Sequence, residues 1–327
     1  MTSNQKELSI KPPKQVKKKM PFVEYMKLNW MMFIFLIPAI TLVFIFNYIP
    51  MSGIVLAFKD FDIFAGDNIF DSIIVSPWVG FQQFHALFAD HEVWNAFRNT
   101  LIISTYKIVF LFPLPIMLAV MINELRHLAF KKVVQTLLYL PHFLSWVVIT
   151  ALFMQVLGPY GVINNWLKEL GFIDRSIAFF GNAKTFRPLL VISAGWKEIG
   201  WNAIVYLAAI TGINPQLYEA AKMDGANKIQ QIAYITIPSI TATIAMLFIL
   251  RLGAILDAGF DQVFNMYNSA VYSTGDIIGT FVYRKGLGED LNFSFGTAVG
   301  LFNSVVALIL IVSGNYISSK YFKKGIW

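Results

Sequence analysis

Glu198, Asn202 and Tyr206 recur every fourth residue inside an otherwise apolar run, and Lys197 and Trp201 stand one position ahead of the first two. At helical pitch, residues four apart lie above one another, so the first three share one face and Lys197 and Trp201 the adjacent one. A carboxylate, an amide, a phenol, an ammonium and an indole placed this way suit a polyhydroxylated solute. Polar groups take its hydroxyls, and rings, with Trp196 beside the stripe, cover its C–H faces. The competing reading is that these groups pair among themselves or with a second subunit and hold a bundle together. Lys107 and Arg251 pose the same choice, and Arg251 pairs with Glu198 if their two runs pack side by side. Further along, Asp257, Asp261, Gln262 and Asn265 either meet solute near an outer mouth or cap a helix end.

Bond-making chemistry finds no comparable constellation. The chain has no cysteine, which removes thiolate catalysis, disulfides and Cys-based metal sites. His91-Glu92 is not followed by the second histidine of H-E-x-x-H, and His127 and His142 have no second ligand at metal spacing. No G-x-x-x-x-G-K-[ST] phosphate loop occurs; Gly181-Asn-Ala-Lys184-Thr185 lacks the first glycine. The expectation is a chain with no catalytic residue, no metal and no cofactor of its own.

The elements that carry the stripe follow from composition. Of 327 residues, 57% are hydrophobic and 14% charged, and the mean hydropathy is +0.60. A water-soluble domain of that length needs far more polar surface. Crossing a bilayer takes about 20 apolar residues at helical rise. Six runs qualify, at 30–48, 101–122, 134–157, 188–210, 237–256 and 296–317. They are continuously apolar, whereas barrel strands alternate. The fold class is therefore all-α, a polytopic membrane protein with six transmembrane helices.

Seven lysines precede the first run: Lys6, Lys11, Lys14, Lys17, Lys18, Lys19 and Lys27. Such a flank stays cytoplasmic, so residues 1–27 form a basic cytoplasmic tail, 28–318 the membrane domain and 319–327 a second cytoplasmic tail with Lys320, Lys323 and Lys324. Arg126, Lys131 and Lys132 fall in the next inner turn, while 50–98 is rich in Asp and Glu as an outer segment should be. The flank is too long, and a small-residue cleavage site too plainly missing after Tyr48, for a signal peptide. Within 158–171, Val162, Ile163, Trp166, Leu167 and Leu170 are spaced for an amphipathic helix at the outer surface.

Between the fourth and fifth runs, on the inner side, residues 213–238 form a polar loop. Leu217 to Ala221 and Ala226 to Tyr234 read as two short helices, with Gly225 supplying the turn between them. Small Ala220 and Ala221 permit close approach to another surface, Tyr218, Glu219 and Asp224 offer polar contacts, and Pro238 marks where the loop ends and the fifth run begins. A motion imposed from outside the membrane can enter the bundle through such an elbow; an ordinary amphipathic surface turn has the same shape.

Residue identity favours the first reading. Glu219-Ala220-Ala221, Gly225, Ile235 and Pro238 stand at the spacing of the coupling-loop signature, so the segment resembles that of binding-protein-dependent ABC importer permeases; Ile237 replaces the usual leucine. Tyr48-Ile-Pro-Met-Ser-Gly, Ala57-Phe-Lys-Asp-Phe, Trp78-Val-Gly-Phe, Phe97-Arg-Asn-Thr, Ser193-Ala-Gly-Trp-Lys-Glu-Ile-Gly-Trp and Gly259-Phe-Asp-Gln-Val-Phe-Asn-Met-Tyr look like the carbohydrate-uptake, MalF/LplB-like polysaccharide branch.

The resemblance implies the type I importer permease fold with a cytoplasmic coupling helix, and a multi-pass protein of the bacterial cytoplasmic membrane with both termini inside. It implies partners: a second homologous permease, two cytoplasmic ATP-binding cassette subunits that bind ATP and magnesium, an extracytoplasmic solute-binding protein, and an oligosaccharide or polysaccharide fragment as cargo. Tyr218, Glu219, Ala220, Ala221, Asp224, Gly225, Ala226, Ile235 and Pro238 would then couple to the ATPase. An amino acid or polyamine importer is the alternative within the family. An ion-coupled secondary carrier would show repeated halves and has no use for the elbow.

Overall fold

The computed structural model describes residues 21–288 and 291–322, so the lysines up to Lys19 and Lys323 and Lys324 lie outside the described residues. The described residues are helical apart from turns and one isolated bridge, Lys59 to Trp78.

The chain divides into two units, residues 1–53 and 54–327. In the first, helix α1 (Trp30–Val43) continues through a π turn, Phe44–Tyr48. It buries none of its side chains within the chain, and Phe35 and Phe46 are each more than two-thirds exposed. A helix apolar on every side requires an apolar medium around it.

The second unit holds the packed bundle. Helix α2 (His91–Leu111) passes through Phe112 into α3 (Pro113–Glu124). This run begins ten residues before the expected 101 and is interrupted at Pro113, which has no N–H to give to the preceding turn. The expected span at 134–157 is not one helix. Helix α4 (Leu128–Tyr139) ends in a 3-10 turn around Pro141, and α5 (Trp146–Leu157) restarts after Ser145, whose hydroxyl accepts from the Val148 N–H at 3.3 Å. Helix α6 (Val162–Glu169) occupies the stretch expected to be amphipathic, pinned by buried Asn164 to the Gly158 carbonyl and the Ile177 N–H.

Helix α7 (Ala183–Thr211), 29 residues long, packs along α3 and α2. Gly200 is where it meets the α4 end: a Cβ there would lie 2.1 Å from the Leu138 carbonyl oxygen. After the elbow, α8 (Pro215–Met223) is followed by α9 (Lys228–Gln231), a π turn (Ile232–Thr236) and α10 (Ile237–Gly253). Helix α11 (Phe260–Met266) and α12 (Ile278–Val282) then lead to α13 (Phe293–Phe322).

Five helical runs are long and apolar enough to cross a membrane: Trp30–Phe58, His91–Glu124, Trp146–Glu169, Lys228–Gly253 and Phe293–Tyr316. Where six were expected, α7 is long enough at 29 residues but falls outside this set, since Lys197 and Glu198 interrupt its apolar run. The fifth run starts at Lys228, not after Pro238. Pro238 sits inside a continuous helical path, and the π turn just ahead of it absorbs the missing donor and the ring's bulk.

Candidate functional site

Helices α2, α3, α7 and α10 enclose a cavity of about 280 Å³ at the middle of α7. Lys107, Glu198, Asn202, Tyr206 and Arg251 supply its polar wall, and Leu111, Phe112, Leu247 and Leu250 much of the rest. The four-residue periodicity of α7 thus delivers all three members of its stripe to one cavity. The volume is at the lower edge of ligand pockets, roughly 300–1,000 Å³.

The anticipated Glu198–Arg251 ion pair is not formed: the two side chains share the cavity wall but are not among the salt bridges of the described residues. Lys107 instead reaches across the bundle, donating to the Ala258 carbonyl at 2.7 Å and to Gln262 Oε1. Gln262 is fully buried; its amide donates to Leu190 O and Ser193 Oγ, both at 2.7 Å. This chain of hydrogen bonds ties α2, α7 and α11 and leaves Gln262 off the cavity wall.

The other face of α7 does a different job. Lys197 donates to the carbonyls of His142 and Leu144, the groups freed where Pro141 breaks the third run, and lies 5.5 Å over the Trp146 ring. Trp201 stacks on His142 with ring centroids 4.2 Å apart, and Trp196 meets Phe153 edge-on. Lys197 and Trp201 therefore seal the α4–α5 break. Asp257 accepts from the Gly259 N–H at 3.0 Å, and Asn265 donates to the Asp261 carbonyl at 2.7 Å, both local turn and helix contacts.

The elbow is built from two consecutive caps. Asn214 accepts from the Gln216 N–H to start α8, with Pro215 at its first position. At the far end Ala226 N–H bonds Ala221 O at 2.9 Å and Gly225 N–H bonds Lys222 O at 3.1 Å, the six-to-one and five-to-two pair of a Schellman ending. Gly225 takes φ +79°, a conformation that side-chain-bearing residues resist. Asn227 and Gln230 then form a reciprocal capping box that starts α9. Glu219, Ala220 and Asp224 are exposed on α8 and its end, and Ala221 and Ala226 are half-buried. The Tyr218 hydroxyl lies 2.9 Å from Thr236 Oγ1. Ile235 falls in the π turn and Pro238 at the start of α10.

Sequence reasoning passed over two features. Lys228 pairs with Glu124 at 2.6 Å, joining α9 to the end of α3 beside a second cavity of about 410 Å³ that Arg126, Tyr218 and Lys222 also line. Nearer the other end of the bundle, Arg284 pairs with Asp276 at 2.5 Å, Thr280 donates to the same carboxylate, and Arg187 donates to Asn99 Oδ1, whose amide donates in turn to Asp276 O. Burial holds the Asp276 carboxyl above the usual carboxylate range, against the lowering pull of Thr280 and Arg284. The first joins distant segments and shows in no periodicity, whereas Asp276, Thr280 and Arg284 stand four residues apart, a signal that could have found the second. Among the described residues no cluster of three or more His, Cys, Asp or Glu is placed to hold a metal.

Residues 112–321 match the family model described as "Binding-protein-dependent transport system inner membrane component". The chain is 40% identical over 297 residues, 90% of each chain, to the polygalacturonan/rhamnogalacturonan transport system permease protein YteP of Bacillus subtilis. It is 39% identical over 300 residues, 91% of each, to protein LplB of the same organism. Among solved structures it is similar to a chain of a bacterial ABC transporter involved in the import of the acidic polysaccharide alginate, with TM-score 0.82 and 40% identity over 91% of this chain and 98% of that one.

Proposed function

This chain belongs to the binding-protein-dependent transport system inner membrane components, and on that premise we propose that it is one permease subunit of an ATP-driven oligosaccharide importer of the cytoplasmic membrane. It would cross the membrane six times, with α7 as the crossing whose polar groups face the pathway. Similar proteins that carry polygalacturonan, rhamnogalacturonan or alginate in their names support a polysaccharide-derived cargo.

The observation that carries the mechanism is the elbow. Two ATP-binding cassette subunits beneath the membrane would receive α8 in a surface cleft, with Glu219 and Asp224 as its exposed charges and Ala220 as the small face allowing close approach. The Schellman ending and capping box fix the angle between α8 and α9, so a push on α8 turns the fifth crossing without bending the joint. ATP binding would drive the bundle from inward- to outward-facing around the cavity of Glu198, Asn202, Tyr206 and Arg251, and hydrolysis would return it. A second permease would complete that cavity, and a solute-binding protein would deliver cargo on the outer side. Trp196, Lys197, Trp201, Asp257, Gln262 and Asn265 have structural partners that account for their placement, Asp261 gives its backbone carbonyl to Asn265, and their part in the pathway is to hold its wall.

ATP hydrolysis by the reconstituted complex is the test. Sugar-loaded binding protein should stimulate it, and Gly225→Pro and Glu219→Lys should abolish the stimulation. Solute movement by this chain on an ion gradient with no ATPase present would overturn the reading in favour of a secondary carrier.

A further inference from the structure

The cavity of about 410 Å³ beside the elbow lies between two segments that are distant in sequence. Glu124 and Arg126, where α3 ends, line one side, and Tyr218 and Lys222 of α8 with Lys228 and Gln231 of α9 line the other. Gln231 is buried and donates to the Ala226 carbonyl at 2.9 Å, and Tyr218 is tied to Thr236, so the elbow side is held in place. Glu124 is the one carboxylate among the lining residues, and Lys228 takes it at 2.6 Å. Arg126 and Lys222 make no hydrogen bond or ion pair among the described residues. Exposed cations need no partner. What distinguishes these two is that they come from separate segments to one space, while the nearby acids of the elbow, Glu219 and Asp224, do not line it.

An apolar face begins beside it. Helix α4 starts two residues after Arg126, and its Phe130, Val133 and Leu137, three and four residues apart, are each more than half exposed. Arg126, Lys131 and Lys132 mark this turn as an inner one. Basic pockets between helices on the cytoplasmic side of a membrane suit anionic lipid headgroups. Here the charged pocket and an apolar surface for acyl chains stand within a turn of each other.

We propose that this cavity holds the phosphate headgroup of an anionic phospholipid of the inner leaflet, and that the bound lipid ties the elbow to the turn between α3 and α4. The Arg126 fork meets two phosphate oxygens and the Lys222 ammonium a third. The Lys228–Glu124 pair already joins α9 to α3 at this place, but an ion pair so exposed is worth little alone. A phosphate between Arg126 and Lys222 adds a second tie between the same segments. A push on α8 then reaches α3 as well as the fifth crossing. The lipid site stands on the cavity; its effect on coupling rests on the reading of the chain as an importer permease.

The test places the complete importer in nanodiscs with rising fractions of phosphatidylglycerol in phosphatidylcholine and reads ATP hydrolysis stimulated by loaded binding protein. Wild type should rise to a plateau. Arg126→Gln and Lys222→Gln should each need about fivefold more phosphatidylglycerol to reach half of it, the share of one cation near an anionic surface, and Arg126→Lys should lie closer to wild type. Lys132→Gln, exposed on α4 but off the cavity wall, should leave the half-point in place. Co-purification of all subunits checks assembly of each variant. An equal shift in Lys132→Gln would mean diffuse surface attraction and overturns the proposal. So does recovery in pure phosphatidylcholine on adding inorganic phosphate, which would make the ligand a soluble one. A loss in both cavity variants that is the same at every lipid composition also overturns it, by placing Arg126 and Lys222 against the ATPase. If loaded binding protein stimulates hydrolysis at no composition, the importer reading fails. The site is then judged by immobilisation of spin-labelled phosphatidylglycerol on the purified chain, which both cavity variants should weaken by the same factor; binding equal to wild type overturns it.

Discussion

The Tyr218 hydroxyl and Thr236 Oγ1 are 2.9 Å apart across the elbow, eighteen residues apart in sequence. The bond closes a triangle whose other sides are α8 and the stretch from α9 into the π turn. Tyr218→Phe removes it without changing shape. Loss of one hydrogen bond of this kind costs about 1 kcal/mol, and Thr236→Val should cost the same, with the double variant no worse than either. The readout is the ratio of transport to ATP hydrolysed, which should fall in both single variants while subunit assembly persists.

Gly225 gives a graded series. A side chain at φ +79° costs about 1–2 kcal/mol, and no atom lies within 4 Å of a Cβ built there. Gly225→Ala should therefore weaken ATPase stimulation partially and Gly225→Asn less, since asparagine tolerates the left-handed region. Gly225→Pro should eliminate it, because the Gly225 N–H donates to Lys222 O. A response ordered by side-chain size instead would indicate a steric contact at this position.

Lys107 is the hub joining α2 to α11. Lys107→Met leaves Gln262 Oε1 and the Ala258 carbonyl without their donor, and charged hydrogen bonds are worth about 1.5–3 kcal/mol. The purified variant should unfold at a lower temperature than wild type. Adding Gln262→Leu should cost further, since Gln262 also donates to Leu190 O and Ser193 Oγ, but by less than the sum of the two single variants, which share the Lys107–Gln262 bond.

Asp276 predicts a pH signature. Its folded carboxyl is raised above the unfolded one, so the folded state binds the extra proton and this group's contribution to stability is lost as pH rises through the window between the two. Asp276→Asn removes the titration. Thermal unfolding scanned upward in pH from the ordinary carboxylate range should give a wild-type curve whose difference from the variant changes as Asp276 titrates and is flat once it is ionised in both states. A difference independent of pH would show that Asp276 does not titrate there.

Much of this was legible in the sequence because it is periodic or spaced. The apolar runs marked an all-helical chain with helices long enough to cross a membrane, five of them among the described residues where six were expected, and the interval from Glu219 to Pro238 marked the elbow. The recurrence of Glu198, Asn202 and Tyr206 marked the cavity. What escaped depends on contacts between distant segments. The role of Lys197 followed from carbonyls that Pro141 frees, 55 and 53 residues away, and nothing in its own neighbourhood points there. Gln262 looked like a mouth residue because it follows Asp257 and Asp261, yet its partners are on α2 and α7. Pro238 looked like a boundary because proline usually ends a helix; here the π turn removes the conflict, and a π turn leaves no trace in hydropathy.

That π turn also bears on an angle. From Lys228 to Gly253 the chain is one helical path, with the extra residue of Ile232–Thr236 set between the elbow and the cavity. Each residue added to or taken from a helix turns everything beyond it by about 100°. Deleting one residue from the regular helix between Ile237 and Leu250 would leave Lys228 facing Glu124 and swing Arg251 a quarter-turn or more off the cavity wall, whereas deleting one within Ile232–Thr236 lets the wide turn close with little change of phase. The bulge is the one place along this rod where a residue can be gained or lost while the far end keeps its facing.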